Sequence, residues 1–412
     1  MSFKVCSVFK YVIVYMFNFD FIYDSINLLL IWIMYYMGSY ISKGKNYWEC
    51  CLLVIITFTL IEGFRYGRGV DYMHYVDVYN HDLENKQVLF TSLNQFLKSL
   101  GVSPDYAFMV YALPFITGAV VMMKPLKEYA AYLFPLFLMS IISIHEAFIR
   151  QALAMSFVFI YISMLNSELD AILNKKIKVS NLLWLMVFAL IACSIHSISI
   201  IAIFVVTALM IFVKKPLPWI YTVPLLVLGK FVISKSFDFS YLNSLLTFLD
   251  SSSDKFASYT ENADVWFSAE AMNDAYTRNI MIELLETFGC CALLYLGSKT
   301  LSCFQNTSYV DDENSISTVM DGSFRLILTL FNAFVVGIII LETFYNLEIV
   351  RRVAYSWSIF WFVPMSLILY YRKTQLFNTI DKFLMLGFTY WLWEYIRFLF
   401  VWNETPMFIW DK

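Results

Sequence analysis

The sequence predicts an all-α protein, a polytopic bundle of about twelve transmembrane helices that forms a single integral membrane domain over residues 1–412. Three observations support this fold class. Hydrophobic residues make up 60% of the chain and charged residues only 15%, so too few polar side chains exist to cover a surface exposed to water. Apolar stretches of the roughly 20 residues that cross a bilayer recur along the chain. Basic residues fall in short loops on alternate sides of those stretches.

The apolar stretches define the spans, and the loops between them define the orientation. The predicted spans are residues 21–40, 47–63, 104–123, 131–147, 150–166, 180–195, 197–213, 217–234, 279–298, 323–342, 353–371 and 383–402. The basic loops on one side contain Lys43 and Lys45; Lys124 and Lys127; Lys175, Lys176 and Lys178; Lys214 and Lys215; Lys299 and Arg325; and Arg372, Lys373 and Lys382. Because cytoplasmic loops carry an excess of basic residues, this side is predicted to be cytoplasmic.

The opposite, outer side receives two long segments at about 64–103 and 235–278. Long loops commonly carry function, because short connections suffice to join packed helices. The second segment is rich in acidic residues. Within the first, residues 89–100 (LFTSLNQFLKSL) are typical of an amphipathic helix that lies on the membrane surface.

A pair of arginines closes the second predicted span, in the run FRYGRGVDYMHY at residues 64–75. Arg65 and Arg68 are three residues apart, so they can share one face of a turn. Their guanidinium groups suit phosphate oxygens, which they can bind in pairs. Gly67 and Gly69 allow the backbone to bend and to approach a ligand closely. The alternative is that both arginines only anchor the helix among lipid headgroups.

Three further polar features lie on the same outer side, and each has a structural alternative. Arg150 begins the fifth span, where pairing with Glu146 one turn earlier could instead stabilise the hairpin. His196 lies between spans six and seven, where a lone histidine is more often a packing residue than a catalytic one. Arg351 and Arg352 precede span eleven, where they could anchor the helix among headgroups.

Charges inside the predicted spans require partners, because an isolated charge at membrane depth costs a few kcal/mol. Glu394 and Arg397 are three residues apart in the last span and are expected to pair on one helix face. Glu283 and Glu286 of span nine lack an evident local partner and are expected to face the interior of the bundle. Lys230 lies near the outer end of its span, where it is expected to extend its ammonium group to the interface.

Several classes of activity are disfavoured by the sequence. The chain has no G-x-x-x-x-G-K-[ST] motif for ATP and no Asp-x-Asp pair for a metal-dependent nucleotide-sugar transferase. Its net charge of −3 offers no support for binding nucleic acid. The seven cysteines form no metal-binding or disulfide pattern. We therefore predict no metal and no cofactor. Arginines on the outer face of an apolar bundle suit an anionic, lipid-linked substrate instead.

Four short motifs indicate a family. The runs FRYGRGVDYMHY, FIRQALAMSF, SIHSISI and EIVRRVAYSW resemble, in order and spacing, motifs of the EpsG/Wzy-type bacterial polysaccharide polymerases. The resemblance covers most of the chain. Two features depart from the family pattern: the doubled arginine at 351–352, where the family has one, and the apolar extension before residue 20.

The resemblance implies a GT-C-type membrane glycosyltransferase architecture and a metal-independent reaction on the periplasmic face of the bacterial inner membrane. The growing chain, held on undecaprenyl diphosphate, would be transferred to a hydroxyl of an incoming lipid-linked repeat unit. The product would be O-antigen, capsule or exopolysaccharide. The implied partners are undecaprenyl-diphosphate-linked oligosaccharides, membrane lipid, a flippase and a chain-length regulator.

The resemblance also assigns roles to the outer residues. The residues expected to bind the diphosphate or the sugar are Arg65, Arg68, Tyr72, Arg150, Arg351 and Arg352. Asp71 and His196 are the two candidates for the base that takes the acceptor proton, and the sequence does not choose between them.

Two other membrane activities fit a similar sequence. A flippase of lipid-linked oligosaccharide should show symmetry between its halves and charges along a midplane path, whereas here the polar clusters gather on one face. A ligase or acyltransferase that acts on similar lipid carriers, such as an O-antigen ligase, would share the arginine-rich outer face.

Overall fold

A computed structural model describes residues 19–69, 71–81, 88–234, 280–308, 321–345 and 347–401. These residues form helices and their connections and contain no β-strand, which confirms the all-α class. The long outer segment predicted at 235–278 lies outside the described residues. The described residues divide into two compact units, with boundaries between Ile203 and Phe204 and between Tyr390 and Trp391.

The first unit contains eight complete helices, the start of a ninth and most of the last helix. Its elements are α1 (Phe19–Ser42), α2 (Tyr47–Gly63), α3 (Tyr72–His81), α4 (Val88–Ser99), α5 (Pro104–Met123), a 3₁₀ turn (Lys124–Tyr129), α6 (Ala130–Ala147), α7 (Ile149–Leu173), α8 (Val179–Ile195), the start of α9 (Ile198–Phe212) and most of α16 (Thr389–Val401).

The second unit contains the rest of α9, two long helices and several short or interrupted ones. Its other elements are α10 (Trp219–Leu228), a π-helical turn (Gly229–Ile233), α11 (Ile280–Ser308), α12 (Gly322–Thr343), α13 (Glu348–Ser358), a 3₁₀ turn (Ile359–Trp361), α14 (Phe362–Tyr371), α15 (Thr379–Leu384) and a 3₁₀ turn (Met385–Phe388) that leads into α16.

Each predicted span coincides with a helix or with a run of consecutive helical segments. Among the described residues, six helical segments are long and apolar enough to cross a membrane: Tyr23–Ser42, Pro104–Ala147, Ile149–Leu173, Ile280–Gln305, Gly322–Thr343 and Val350–Tyr371. Three shorter apolar helices are Val179–Ile195, Ile198–Phe212 and Trp219–Ile233. The chain is therefore a multi-pass membrane protein. The count of about twelve spans and the GT-C-type architecture stay predictions.

Close helix approach in the first unit depends on small residues. A Cβ atom added at Gly118 of α5 would lie 2.3 Å from the backbone oxygen of Ser156 in α7. The two helices therefore pack with their backbones nearly in contact, as small residues permit between membrane helices. The predicted amphipathic helix at 89–100 is observed as α4, which buries Phe90 and Leu97 and packs against α8.

In the second unit, a buried carboxylate fixes the start of α15. Asp381 accepts hydrogen bonds from Lys299 Nζ at 2.6 Å and from the backbone N–H of Asn378 at 2.8 Å. The side chain of Asn378 accepts from the backbone N–H of Asp381 at 2.9 Å, which completes a capping box. Burial alone would raise the pKa of Asp381, but the bonds from Lys299 and Asn378 hold this pKa below its usual value of 3.8.

We expect Asp381→Asn to lower the free energy of unfolding by about 1 kcal/mol at neutral pH, as loss of a helix cap does. Because the pKa of the carboxyl is lower in the folded state, its stabilisation is present above pH 3.8 and is lost as the pH falls through the lower, folded value. Thermal unfolding in detergent should therefore show a gap between wild type and variant at neutral pH that closes in acid. An equal gap at both pH values would contradict the role of the carboxylate.

Candidate active site

The turn that follows α2 carries the first pair of predicted arginines and folds against the end of α6. Gly67 and Gly69 have φ angles of 66° and 91°, in the left-handed region that residues with a side chain rarely adopt. A Cβ atom added at Gly69 would lie 2.0 Å from the backbone oxygen of Glu146. This turn therefore requires glycine both for its conformation and for its contact with α6.

Arg65 is completely buried beneath this turn. Its Nη1 donates to the backbone oxygen of Glu62 at 2.5 Å and lies 3.6 Å from the carboxylate of the same residue. Its Nη2 donates to the backbone oxygen of His145 at 3.1 Å. The imidazole of His145 in turn lies 3.2 Å from Glu62 Oε2. Arg65 thus links the end of α2 to the end of α6.

Arg68 is also completely buried, and its main partner is a carboxylate. Its Nε donates to Glu146 Oε2 at 3.0 Å, and its guanidinium lies 3.9 Å from the ring centre of Tyr23. The Tyr23 hydroxyl donates to the other oxygen of Glu146 at 2.6 Å. Burial alone would lower the pKa of Arg68, but the nearby carboxylates, chiefly Glu146, raise it above its usual range. Arg68 is therefore a buried cation with a matched counter-ion.

The burial of Arg65 and Arg68 does not match the alternative role as headgroup anchors. A headgroup anchor needs an exposed guanidinium, whereas Arg65 and Arg68 have no exposed surface. In the described residues their charge is matched by Glu62 and Glu146. The pair holds the turn on α6 as observed, and binding of diphosphate by either arginine stays a prediction.

Arg150 differs from these two because it is only half-buried. It lies on the first turn of α7, immediately after the break at Phe148, and its guanidinium is 5.8 Å from the ring centre of Tyr75. Burial raises the pKa of Tyr75, and Asp71 adds to this effect while Arg150 opposes it. Both charged residues thus act on the same phenol. Glu146, the carboxylate that the sequence offered to Arg150, bonds with Arg68 and Tyr23.

Tyr72, predicted to bind substrate, lies within the core of the first unit. Its ring stacks on Phe108 with centroids 4.3 Å apart and meets Tyr66 edge-on at 5.5 Å. Burial raises its pKa, so the phenol stays protonated. Asp71, one residue earlier, is half-buried. The Tyr72 ring therefore lies among packed aromatic side chains, while Asp71 lies nearer the surface; substrate binding by Tyr72 stays a prediction.

His196 ends α8, where it takes part in the turn into α9. Its Nδ1 accepts a hydrogen bond from the backbone N–H of Ile198 at 3.3 Å. A neutral imidazole that accepts through Nδ1 carries its proton on Nε2. This arrangement matches the structural alternative for His196.

The last predicted pair, Arg351 and Arg352, belongs to the second unit. Both lie on the first turns of α13 and are half-buried. The guanidinium of Arg351 is 5.3 Å from the ring centre of Tyr345, in the connection from α12. Arg351 and Arg352 both remain candidates for the single arginine of the family pattern, because each is partly accessible.

Sequence reasoning was wrong about Lys230. This residue does not extend to an interface, since it is only 5% exposed and its Nζ lies 2.7 Å from Glu342 Oε2. It also bonds with Glu286, which accepts a further hydrogen bond from the hydroxyl of Tyr390. The π-helical turn places Lys230 beside α11 and α12. The sequence shows only a lysine within an apolar run, and nothing near it identifies Glu286 and Glu342 as its partners.

Two other predictions about charges within spans are confirmed, one of them only in part. Glu286 faces the interior of the second unit, whereas Glu283 is half-buried. Glu394 and Arg397 pair at 2.7 Å on one face of α16, and this pair is largely exposed.

Among the described residues, no group of three His, Cys, Asp or Glu side chains could hold a metal ion.

The buried pair of Arg68 and Glu146 makes a prediction about stability. Arg68→Leu should lower the free energy of unfolding by about 3–5 kcal/mol, because it leaves a carboxylate buried without its counter-ion. The measurement is chemical unfolding of the purified protein in mixed micelles.

Lys176→Leu is the control, because it removes an exposed cation from the connection between α7 and α8, and it should cost at most about 0.5 kcal/mol. Adding Glu146→Leu to Arg68→Leu should recover part of the loss, since it removes the unpaired charge. Equal losses for the two single variants would contradict the role of the buried pair.

The chain can now be compared with known proteins. The sequence profile of the EpsG family matches residues 48–402, most of the chain, and this range includes all four motifs described above. No curated protein and no solved structure matches the chain. The chain therefore belongs to the EpsG family, a family of polysaccharide-polymerase type.

Proposed function

We propose that this protein joins undecaprenyl-diphosphate-linked oligosaccharide units into surface polysaccharide, at the periplasmic face of the bacterial inner membrane. Membership of the EpsG family supports a polymerase-type function. The proposal includes a bundle of about twelve spans with GT-C-type architecture and a metal-independent reaction. The observation that carries it is a group of residues around Tyr75 on the first unit. Half-buried Arg150 lies 5.8 Å from the ring centre of Tyr75, and the backbone oxygen of half-buried Asp71 accepts from the Tyr75 N–H at 3.0 Å.

Arg150 is the proposed contact to the diphosphate in this group. A substrate must reach the cation that binds it, and Arg150 is partly accessible whereas Arg65 and Arg68 are buried. Its position on the first turn of α7, immediately after a tight break from α6, limits its freedom. A fixed cation stabilises the negative charge that grows on the diphosphate as the bond to the sugar breaks.

Arg65 and Arg68 then act as positioning residues. They fix the turn that carries Asp71 against the end of α6, through Glu62 and Glu146. Because α7 starts two residues after α6 ends, the same contacts also fix the start of α7, where Arg150 lies. Arg351 and Arg352 are proposed as diphosphate-binding residues of the second unit and need separate tests.

Asp71 is the proposed base. The hydroxyl oxygen of the incoming unit attacks the anomeric carbon of the reducing-end sugar of the growing chain. The bond from that carbon to the diphosphate oxygen breaks, and undecaprenyl diphosphate leaves with the bonding electrons. The hydroxyl proton passes to the Asp71 carboxylate. We favour Asp71 over His196 because the Nδ1 of His196 already accepts from Ile198.

Arg150→Ala should collapse the polysaccharide ladder to single repeat units and leave the protein level unchanged. Loss of one donor to a developing anion lowers a rate by about 10²–10³. The measurement is a gel profile of surface polysaccharide from a deletion strain complemented with each variant. Lys176→Ala, which removes an exposed cation outside the group, should restore the full ladder. A full ladder from Arg150→Ala would remove Arg150 from the site.

The same strains separate the polymerase from its rivals. Single repeat units that accumulate on the outer leaflet of the deletion strain support the polymerase. Units trapped on the inner leaflet would indicate a flippase, and full-length polymer left on its lipid carrier would indicate a ligase. Either of the last two results would contradict the proposed function.

The choice of base is tested by two near-isosteric variants. Asp71→Asn should lower the rate of polymerisation by about 10²–10⁴, as loss of a general base does. His196→Gln keeps a hydrogen-bond acceptor near the Ile198 N–H, so it should leave the rate close to wild type. The measurement is the rate of polymer formation in membranes supplied with lipid-linked units. The reverse result would assign the base to His196.

A further inference from the structure

A basic groove lies on the second unit, apart from every residue discussed for the reaction. One wall is the connection between α9 and α10, and the other is the second half of α11. The lining includes Lys214, Lys215, Trp219, Ser298, Ser302 and Gln305, around a volume of about 810 Å³. A smaller hollow of about 370 Å³ shares Trp219, Ser298 and Ser302 and extends the groove to Lys299.

The backbone of the two-lysine connection is held by buried amides. Gln305 Nε2 donates to the backbone oxygen of Lys214 at 3.0 Å, and Asn332 Nδ2 donates to that of Lys215 at 3.1 Å. Asn332 Oδ1 accepts from the backbone N–H of Leu217 at 2.9 Å. Asn332 is completely buried within α12. A loop that only needs positive charge to orient a membrane protein does not need a fixed backbone, so these contacts indicate a more specific use.

The charges on the groove favour an anion. The ammonium groups of Lys214 and Lys215 are exposed at one end, and that of Lys214 also donates to the backbone oxygen of Met210 at 3.1 Å. At the other end, Lys299 pairs with Asp381 at 2.6 Å. Among the described residues at the groove, three cations and one carboxylate leave a net positive charge. Ser298 and Ser302 add hydroxyl groups to its wall.

Apolar surface continues directly from the charged part of the groove. Phe212 and Tyr221, on the apolar helices α9 and α10, are 78% and 72% exposed. Trp219 meets Tyr295 edge-on, with ring centres 5.1 Å apart. Tryptophan and tyrosine are enriched at the depth of lipid headgroups. A ligand that fits both parts has an anionic head and an apolar tail.

We propose that this groove binds the headgroup of an anionic phospholipid from the surrounding bilayer. The phosphate would lie at Lys214 and Lys215, the glycerol next to Ser298 and Ser302, and the acyl chains on the apolar faces of α9 and α10. Basic pockets between membrane helices bind phospholipid headgroups in this manner. The apolar continuation favours a phospholipid over a soluble anion, which would use only the lysines.

The test measures lipid retained by the full-length protein. The detergent-purified protein is mixed with micelles that contain phosphatidylglycerol or phosphatidylcholine, and bound lipid is counted by native mass spectrometry. Wild type should retain phosphatidylglycerol in preference to phosphatidylcholine. The double variant Lys214→Ala/Lys215→Ala should bind phosphatidylglycerol roughly 25-fold more weakly, since each lysine near a membrane surface contributes about a factor of five.

The matched control is Lys175→Ala/Lys176→Ala, which removes the same charge from another basic loop and should bind as wild type does. Ser302→Trp fills the groove without removing a lysine and should also reduce binding. Thermal unfolding of the lipid-free variants checks that each is folded. Should the double variant fail this check, Ser302→Trp decides the outcome.

Three results would overturn the proposal. Equal retention of the two phospholipids would show that the groove does not select an anionic headgroup. Equal binding by the double variant and its control would show that the groove is not the site. Displacement of the lipid by inorganic phosphate at low concentration would assign the lysines to a soluble anion. Polymer formation enters none of these measurements, so the proposal stands or falls separately from the proposed function.

Discussion

The hydrogen-bonded pair between Arg68 and Glu146 is the interaction on which the first unit's candidate site depends. It joins the turn after α2 to the last turn of α6, at a point where neither side chain has any exposed surface. Two buried charges gain little net stability over an apolar pair, because desolvation offsets their attraction. What they do gain is a specific geometry. The observed placement of the turn brings Gly69 against the backbone of Glu146 and Arg68 onto its carboxylate at the same time.

This constraint divides the arginines by what they can do. The guanidinium of Arg68 bonds with Glu146 through Nε and lies against the ring of Tyr23, so a substrate that drew Arg68 away would take the counter-ion from a buried carboxylate. Arg150 lies next to the same framework and keeps part of its surface. In the proposed site, the buried arginines would supply the rigidity that a catalytic cation needs, because an electrostatic contribution to catalysis requires a charge that is already in place. Motif arginines alike in sequence can thus have different roles.

The helices could be predicted from the sequence because each requires only an apolar run of sufficient length, as α5 and α12 show. The partners of the charged residues could be predicted only when they were near in sequence. Glu394 and Arg397 share a helix face, and their pairing followed from spacing alone. Lys230 pairs with Glu342, more than a hundred positions away, and no local pattern encodes that contact. The pairing of Arg68 with Glu146 could not be predicted for the same reason, because the two residues are 78 positions apart.

The second unit uses buried charge for a different purpose. Lipid is as apolar as a helix surface, so the hydrophobic effect does not drive membrane helices together. Lys230, on the π-helical turn after α10, instead bonds with Glu286 of α11 and Glu342 of α12. The hydroxyl of Tyr390 stabilises Glu286 from α16. One cation thus connects three helices, and separating any of them would expose a charge to lipid at a cost of several kcal/mol. Short, interrupted helices such as α10 need this kind of contact, because their own apolar surface is too small to fix their position.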